Sequence, residues 1–332
     1  MYALLAFIAI TSSSGFGDTH FWVDGRTLMC GQKVVSAPDK GDVFVSRNSR
    51  YAAVYNQTSR KVHLLVAPGE IKGIVDAINP MIRIDDYGNF AIFEPELSRF
   101  RIVSVFGQEI LRFQPPNASY TDEAYVAFDV NRKYAVLALH HNGRTFLKMW
   151  KLGVTSPIID TIFEDRSLYP ARAWVYPDGT LIFKVYMVES GMFVRDGLLF
   201  YSIWHKMPGE LALHGIRHAT KTDGQVFLAS KNIVYRVDVS DVTPRKVDSI
   251  IVQNLILDIK ADSDGCWILS AVPKWEGRGY SWENPELSLW AGDVVRSVAF
   301  HSGKVRAVSL VEVDGKVGLW LPAENMILKQ ED

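Results

Sequence analysis

Residues 41–70, GDVFVSRNSRYAAVYNQTSRKVHLLVAPGE, alternate short apolar runs with polar turns. The apolar runs occupy positions 43–45, 51–55 and 62–66, and the third run stops at Pro68-Gly69. Runs of this length, bounded by Asn, Ser, Pro and Gly, are typical of β-strands joined by turns. The stretch therefore predicts three consecutive strands, of which the first two are joined by a tight turn.

The polar turn between the first two strands recurs along the chain. Successive copies lie about 40 residues apart, which is a length typical of a four-stranded repeat unit. Asp-Gly, Asn-x and Ser-Gly suit hairpin turns because they tolerate the left-handed backbone that such turns require. The later copies are Asp86-Tyr87-Gly88, Asn131-Arg132, Pro177-Asp178-Gly179, Thr222-Asp223-Gly224, Asp264-Gly265 and Ser302-Gly303.

The third strand of the unit often carries tryptophan near its end, at Trp150, Trp204, Trp290 and Trp320. Two sheets that stack face to face lie about 10 Å apart, and a large aromatic ring fills that space. We therefore expect these tryptophans to pack between neighbouring sheets.

With this repeat the chain resembles a β-propeller of the broad WD-repeat type. The resemblance covers nearly the whole chain but is architectural, because the Trp-Asp and Gly-His dipeptides of WD repeats and the paired glycines of kelch repeats are missing. It implies an all-β propeller with seven or eight four-stranded blades, closed by neighbouring N- and C-termini.

The length of 332 residues favours eight blades, because a repeat of about 42 residues fits roughly eight times. In the alternative of seven blades, the N-terminal strands join the last blade or form an appendage. We predict a single domain, 1–332, with approximate units 1–40, 41–78, 79–122, 123–169, 170–212, 213–253, 254–295 and 296–332.

Composition excludes several classes of protein. The formal net charge is −1, so no nucleic-acid partner is expected. No apolar run approaches the roughly 18 residues of a membrane-spanning helix. The opening MYALLAFIAITSSSG lacks the basic start and the clear cleavage site of a signal peptide, and Ala3–Ile10 is predicted as a strand. We expect the protein in a cytoplasm or in a particle assembled there.

The two cysteines, Cys30 and Cys266, belong to no CxxC or Cys/His cluster. A structural zinc site is therefore not predicted. Two buried thiols are favoured over a disulfide between them, although the disulfide stays open.

The four strands of a propeller blade are lettered A to D from the inner strand to the outer strand. The loops between strands B and C, and the connections from strand D to the next blade, lie on one face of the ring. The long segments of this kind are 188–197, 273–285, 115–123 and 164–170. They are rich in aromatic residues and arginine, the composition of interface hot spots. The alternative is that the rings fold back onto the blades. The candidate partner-binding residues are Tyr120, Tyr169, Met192, Phe193, Arg195, Trp275, Arg278, Tyr280 and Trp282.

No set of reactive groups predicts catalysis, a metal or a cofactor. His214 and His218 would lie about 13 Å apart on a strand. Nucleophile, dinucleotide and phosphate-loop motifs are missing. The predicted inner strands carry only Arg83, Asp129 and Asp258 as charged residues away from the turns, which is too few for a catalytic ring.

The sequence therefore favours a non-catalytic scaffold for protein–protein contacts, acting as a structural subunit of a larger assembly such as a virion or phage tail. One alternative is a carbohydrate-binding or glycoside-cleaving propeller, in which Trp275, Tyr280 and Trp282 stack on sugar rings and channel carboxylates act as acid and base. A second alternative is a metal hydrolase of the lactonase kind. The expected partner is a protein, and a glycan ligand stays open.

Overall fold

The apolar runs form antiparallel strands throughout the described residues. The computed structural model describes residues 9–11, 19–36, 40–115, 126–165, 168–189, 192–203, 209–222, 224–240, 243–275, 280–313, 316–324 and 326–328. Within them the chain is all-β, and short 3-10 turns occupy Pro95–Leu97 and Pro322–Glu324.

The strands assemble into eight sheets, numbered here as blades 1 to 8 in chain order. The first strand, β1, spans Ala9–Thr11. Blade 1 contains β2 Phe21–Asp24, β3 Thr27–Cys30 and β4 Lys33–Ser36. Blade 2 contains β5 Val43–Val45, β6 Tyr51–Asn56, β7 Lys61–Val66 and β8 Glu70–Asp76. Blade 3 contains β9 Met81–Ile84, β10 Asn89–Glu94, β11 Arg99–Ser104 and β12 Glu109–Phe113, and blade 4 contains β13 Val126–Val130, β14 Tyr134–His141, β15 Arg144–Lys151 and β16 Ile159–Phe163.

Blades 5 to 8 follow the same order, and blade 7 carries one additional short strand, β29, that pairs with β27. Blade 5 contains β17 Leu168–Val175, β18 Leu181–Glu189, β19 Met192–Tyr201 and β20 Gly209–Leu211, and blade 6 contains β21 His218–Thr222, β22 Gln225–Ser230, β23 Ile233–Asp238 and β24 Arg245–Ile251. Blade 7 contains β25 Leu255–Asp262, β26 Gly265–Trp275, β27 Tyr280–Ala291, β28 Val294–Phe300 and β29 Lys304–Val305. Blade 8 contains β30 Ser309–Val313, β31 Lys316–Leu321 and β32 Met326–Leu328.

The hydrophobic core lies between the blades and closes a circle. Eight clusters of buried side chains each join two neighbouring sheets, and the last joins blade 8 to blade 1. Each sheet therefore buries both faces against neighbours, as the blades of a propeller do. The predicted all-β propeller is confirmed, with eight blades.

Three of the predicted tryptophans fill the spaces between blades. Trp150 packs 6.0 Å from Phe100 of blade 3, and Trp290 packs 5.6 Å from Phe227 of blade 6, measured between ring centroids. Trp320 belongs to the cluster between blades 8 and 1. Trp204 lies outside the described residues.

The two ends of the chain close the ring. Ile10 of β1 pairs with Ile327 of β32, so the N-terminal strand becomes the outer strand of blade 8. The predicted closure by neighbouring termini is confirmed. The first strand nevertheless belongs to blade 8 and not to unit 1–40, and β2 to β4 make blade 1. The pairing of β1 with β32 covers the edge of β32 and joins the last blade to the start of the chain.

Most of the predicted turns include a residue with positive φ, and Asn131-Arg132 is an exception. Ser49, Gly88 and Gly179 have φ angles of 60°, 84° and 86°. Both cysteines are buried thiols, in blades 1 and 7, so they form no disulfide with each other. No helix among the described residues is long and apolar enough to cross a membrane.

Candidate functional site

The longest described strands, β26 and β27, form a hairpin of blade 7 that includes most of the predicted loop 273–285. Strand pairing continues to Trp275 and Tyr280, and the prediction of a loop here is wrong. The pairing shifts from Ser270–Glu286 to Val272–Glu283, which leaves Pro285 in a bulge. Proline is tolerated in a bulge because it need not donate to the ladder there.

Three aromatic rings lie at the end of this hairpin, and we call Trp275, Tyr280 and Trp282 the aromatic tip. Trp275 and Tyr280 are 62% and 61% exposed. Their ring centroids lie 5.1 Å apart in an edge-to-face arrangement, and Tyr280 stacks on Trp282 at 6.2 Å. Trp282 is half-buried against the core between blades 7 and 8. It anchors the two exposed rings to the body of the propeller.

The base of the aromatic tip is held by polar contacts. Lys274 Nζ lies 2.6 Å from an oxygen of Glu283 on the facing strand. Ser281 Oγ donates to the backbone oxygen of Lys274 at 3.4 Å. Strand β29 pairs with the other side of β27 at Trp282 and Glu283. These contacts present the exposed rings on a supported strand pair.

The predicted loop 188–197 is also a strand hairpin. β18 and β19 pair as far as Glu189 and Met192, with a bulge after Met187, so the prediction of a loop is wrong here too. The side chains of Met192, Phe193 and Arg195 lie outside the described residues, as do Tyr120 and Arg278 entirely.

Tyr169 occupies a different environment from the aromatic tip. Its ring stacks on His140 of blade 4, with centroids 3.8 Å apart. This contact places Tyr169 between blades 4 and 5, so it folds back against the propeller as the alternative interpretation expected.

A cavity of about 560 Å³ lies at the centre of the ring, where the inner strands of blades 2 to 7 meet. Its wall includes Arg83, Asp129 and Asp258, the three charged residues of the predicted inner strands, together with charged residues at the strand ends. The charged and titratable residues in its wall are Arg47, Arg83, Asp85, Asp86, Tyr87, Asp129, Arg172, Tyr176, His218 and Asp258.

Asp129 is the most perturbed carboxylate of the cavity. Burial raises its pKa to about 6, against the lowering effect of hydrogen bonds from the backbone N–H groups of Val175 and Val130. The charges of Arg83 and Arg172 also favour its ionised form. Burial lowers the pKa of Arg172, and the nearby charge of Arg83 adds to that effect.

His218 and Arg47 lie close to Asp258, the second carboxylate of the inner strands. Asp258 lies 3.8 Å from His218 Nδ1 and 3.5 Å from Arg47 Nη2. Burial lowers the pKa of His218, and the charge of Asp258 opposes that effect. No group of three His, Cys, Asp or Glu side chains suited to a metal ion occurs among the described residues.

An exposed apolar patch on blades 2 and 3 was not predicted. Phe106 is 71% exposed, and Ile71 and Ile74 of β8 are 50% and 52% exposed. The turn that carries Phe106 packs closely on the backbone of Gly73. The only sequence signal for this patch was Phe106, an apolar residue in a turn at the end of a strand. Such residues are too common to predict an exposed patch.

Comparison with known proteins gives the fold and no family. No family model and no curated protein matches the chain. Among solved structures, BamB from Moraxella catarrhalis is 10% identical, with a TM-score of 0.53, over 97% of this chain and 99% of that one. The Dos1 propeller is 10% identical, with a TM-score of 0.53, over 92% and 84%. Hsv2p from Kluyveromyces lactis is 13% identical, with a TM-score of 0.52, over 85% and 89%. These likenesses agree with the β-propeller fold.

Proposed function

We propose that this chain is a non-catalytic propeller scaffold that binds a protein partner through the aromatic tip, as a subunit of a larger assembly. The observation that carries the proposal is the exposure of Trp275 and Tyr280 at 62% and 61% on a hairpin anchored by Trp282. Large aromatic side chains dominate the energy of protein interfaces when a partner buries them.

The arrangement of the tip favours a protein partner because its rings are ordered before binding. Stacking between Tyr280 and Trp282 limits the side-chain freedom that an interface would otherwise have to remove. The neighbouring Lys274 and Glu283 supply a polar rim. We expect the protein to act in the cytoplasm or in a particle assembled there.

The test is a comparison of Trp275→Ala/Tyr280→Ala with Phe106→Ala, a matched loss of an exposed aromatic ring on another blade. Each tagged variant is expressed in the native cells and captured, and its partners are quantified by mass spectrometry. We expect the double variant to lose at least one partner tenfold or more, and Phe106→Ala to retain it. A photo-crosslinking residue at position 275 should label the same partner.

Two outcomes would overturn the proposal. If Phe106→Ala loses the partner and the double variant keeps it, the surface is assigned to the wrong blades. If position 275 crosslinks nothing while the purified chain binds an oligosaccharide on a glycan array through Trp275 and Tyr280, the aromatic tip is a sugar-binding platform.

A further inference from the structure

Two side chains of the central cavity hold buried donors with no acceptor in the described part of the chain. They are Asn131 Nδ2 and Tyr176 Oη. Asn131 is 8% exposed, and its Oδ1 accepts hydrogen bonds from the backbone N–H groups of Lys133 and Tyr134. Those bonds use the oxygen of the amide and leave its NH₂ group without a partner among the described residues.

The hydroxyl of Tyr176 lies within the influence of several cavity charges. Burial raises its pKa, and the charges of Arg47, Asp129 and Arg172 all act on it. A buried donor without an acceptor costs free energy, and each such group in a native protein calls for an explanation.

Arg83 and Arg172 add positive charge to the wall of the same cavity. Arg83 makes no hydrogen bond with the described residues, although its charge acts on Asp129 and on Arg172. Arg172 uses one donor, from Nη1 to the backbone oxygen of Arg217, and its guanidinium lies 5.2 Å from the centroid of the Trp174 ring. Both arginines line the cavity, and the charge of Arg83 contributes to the lowered pKa of Arg172.

The carboxylates of the cavity are already engaged. Asp85 accepts hydrogen bonds from the backbone N–H groups of Tyr87 and Asn89 and from the Asn89 side chain. Asp86 accepts from the N–H of Asn48. Asp258 accepts from the N–H of Ile259 and pairs with Arg47. Each of these carboxylates therefore already has a hydrogen-bonding partner, whereas Asn131 Nδ2 and Tyr176 Oη have none among the described residues.

We propose that the central cavity binds a small molecule bearing a carboxylate or phosphate group, on the side formed by blades 3 to 5. Arg83 and Arg172 supply the charge, and Asn131 Nδ2 and Tyr176 Oη supply neutral hydrogen bonds to the oxygens. A volume of about 560 Å³ is within the usual range for small-molecule sites. The site is separate from the aromatic tip and does not depend on the protein-binding proposal.

Asp129 couples this binding to protons. An anion beside it further disfavours its ionised form, so binding takes up a proton. The other charged or titratable groups around the cavity are Arg47, Arg83, Asp85, Asp86, Tyr87, Arg172, Tyr176, His218 and Asp258. Of these, His218 becomes cationic on acidification and acts in the same direction. Affinity for an anion of constant charge should therefore rise as pH falls from 8 to 5.5.

Calorimetric titration with sulfate, inorganic phosphate and succinate tests the proposal on the purified chain. Sulfate keeps its charge between pH 5.5 and 8 and so reports the pH effect. We expect at least one probe to bind, Arg83→Gln to weaken it at least tenfold, and Arg112→Gln, an exposed arginine of β12, to leave it unchanged. Asp129→Asn should reduce the pH dependence of sulfate binding.

Two further variants separate binding from folding. Asn131→Asp keeps the oxygen that accepts from the turn but replaces the free NH₂ by a second oxygen, so anion binding should fall at least tenfold in a folded protein. Tyr176→Phe removes a buried unpaired hydroxyl, so it should raise the melting temperature while weakening anion binding. The proposal is overturned if none of the three probes binds, or if Arg83→Gln and Asn131→Asp both bind them like the unmodified chain.

Discussion

The carboxylate of Asp129 accepts a 3.0 Å hydrogen bond from the backbone N–H of Val175, and this bond joins the inner strands of blades 4 and 5. Burial at this junction raises the pKa of Asp129 to about 6 from the 3.8 of a free aspartate. The folded state therefore holds the proton more tightly than the unfolded state does. Stability gained from this group is present at low pH and is lost as the pH rises from about 4 to about 6.

Asp129→Asn should remove that pH dependence while keeping an oxygen for the N–H of Val175. One pKa unit corresponds to about 1.4 kcal/mol, so the difference in unfolding free energy between variant and unmodified chain should shift by roughly 2–3 kcal/mol in favour of the variant between pH 4 and pH 7. Urea denaturation at several pH values measures it. A difference that stays constant over this range would contradict the assignment.

Asp178→Asn is a control for which the pH dependence of stability should have the opposite sign. Burial raises the pKa of Asp178, but hydrogen bonds from Lys221 and Thr180 outweigh that effect and hold the pKa below its usual value. The stability that the ionised Asp178 contributes is present above pH 4 and is lost as the pH falls further. Asp178→Asn should therefore be less stable than the unmodified chain at pH 7, and the gap should narrow on acidification.

Glu94 is fully buried, and its partners make it a test of the core of blade 3. It lies 2.7 Å from Nε of Arg99 and 3.0 Å from Nη2 of Arg101, and it accepts from the backbone N–H of Ile78. Glu94→Gln would leave two arginine charges without their carboxylate, at a cost of roughly 2–4 kcal/mol in unfolding free energy. Glu164→Gln breaks an exposed pair with Arg144 and should cost less than about 0.5 kcal/mol. Equal losses in chemical denaturation would refute the buried network.

Gly73 allows the turn of blade 3 to approach the outer strand of blade 2. A Cβ at this position would lie 2.6 Å from the nitrogen of Gly107 and 2.7 Å from backbone atoms of Val105 and Phe106. Gly73→Ala must therefore displace backbone, and we expect a loss of about 1–3 kcal/mol.

Gly197→Ala is the matched control for Gly73→Ala. Its Cβ would meet only Val185 Cγ2, at 4.0 Å, so the change in unfolding free energy should stay within about 0.5 kcal/mol. If both alanine variants unfold at the same urea concentration as the unmodified chain, the close approach at Gly73 is not present in solution.

The repeat could be predicted from the sequence because its signals are local. Asp86-Tyr87-Gly88 predicted a hairpin turn, and at this turn Asp85 accepts hydrogen bonds from the backbone N–H groups of Tyr87 and Asn89. Trp150 and Trp290 predicted packing between blades, because a large ring at the end of a strand has few other places to be buried.

Features that depend on distant pairing could not be predicted in the same way. Pro285 was assigned to the predicted loop 273–285, but it lies in a bulge that depends on the pairing of β27 with β26. In VAFDV, Asp129 is one polar residue of an apolar strand, and only the ring brings it near Arg83 and Arg172. Closure by neighbouring termini was predicted, but an N-terminal strand in the last blade was considered only with seven blades, because the three residues of β1 carry no signal for a partner at the other end of the chain.

Closure by β1 gives the last prediction. Deletion of residues 1–11 removes the outer strand of blade 8 and exposes the edge of β32, where Met326, Ile327 and Leu328 pair with the N-terminal strand. An open edge is a template for pairing with other chains, so the truncated protein should melt at a lower temperature and form oligomers. A synthetic peptide of residues 1–11, added in excess, should restore both the melting temperature and the monomer, because it can take the same place on β32. A scrambled peptide of the same composition should do neither. If the truncated chain melts like the full-length protein, or if both peptides rescue it equally, the pairing of Ile10 with Ile327 does not hold the ring closed. Calorimetry and light scattering on the same samples distinguish these results.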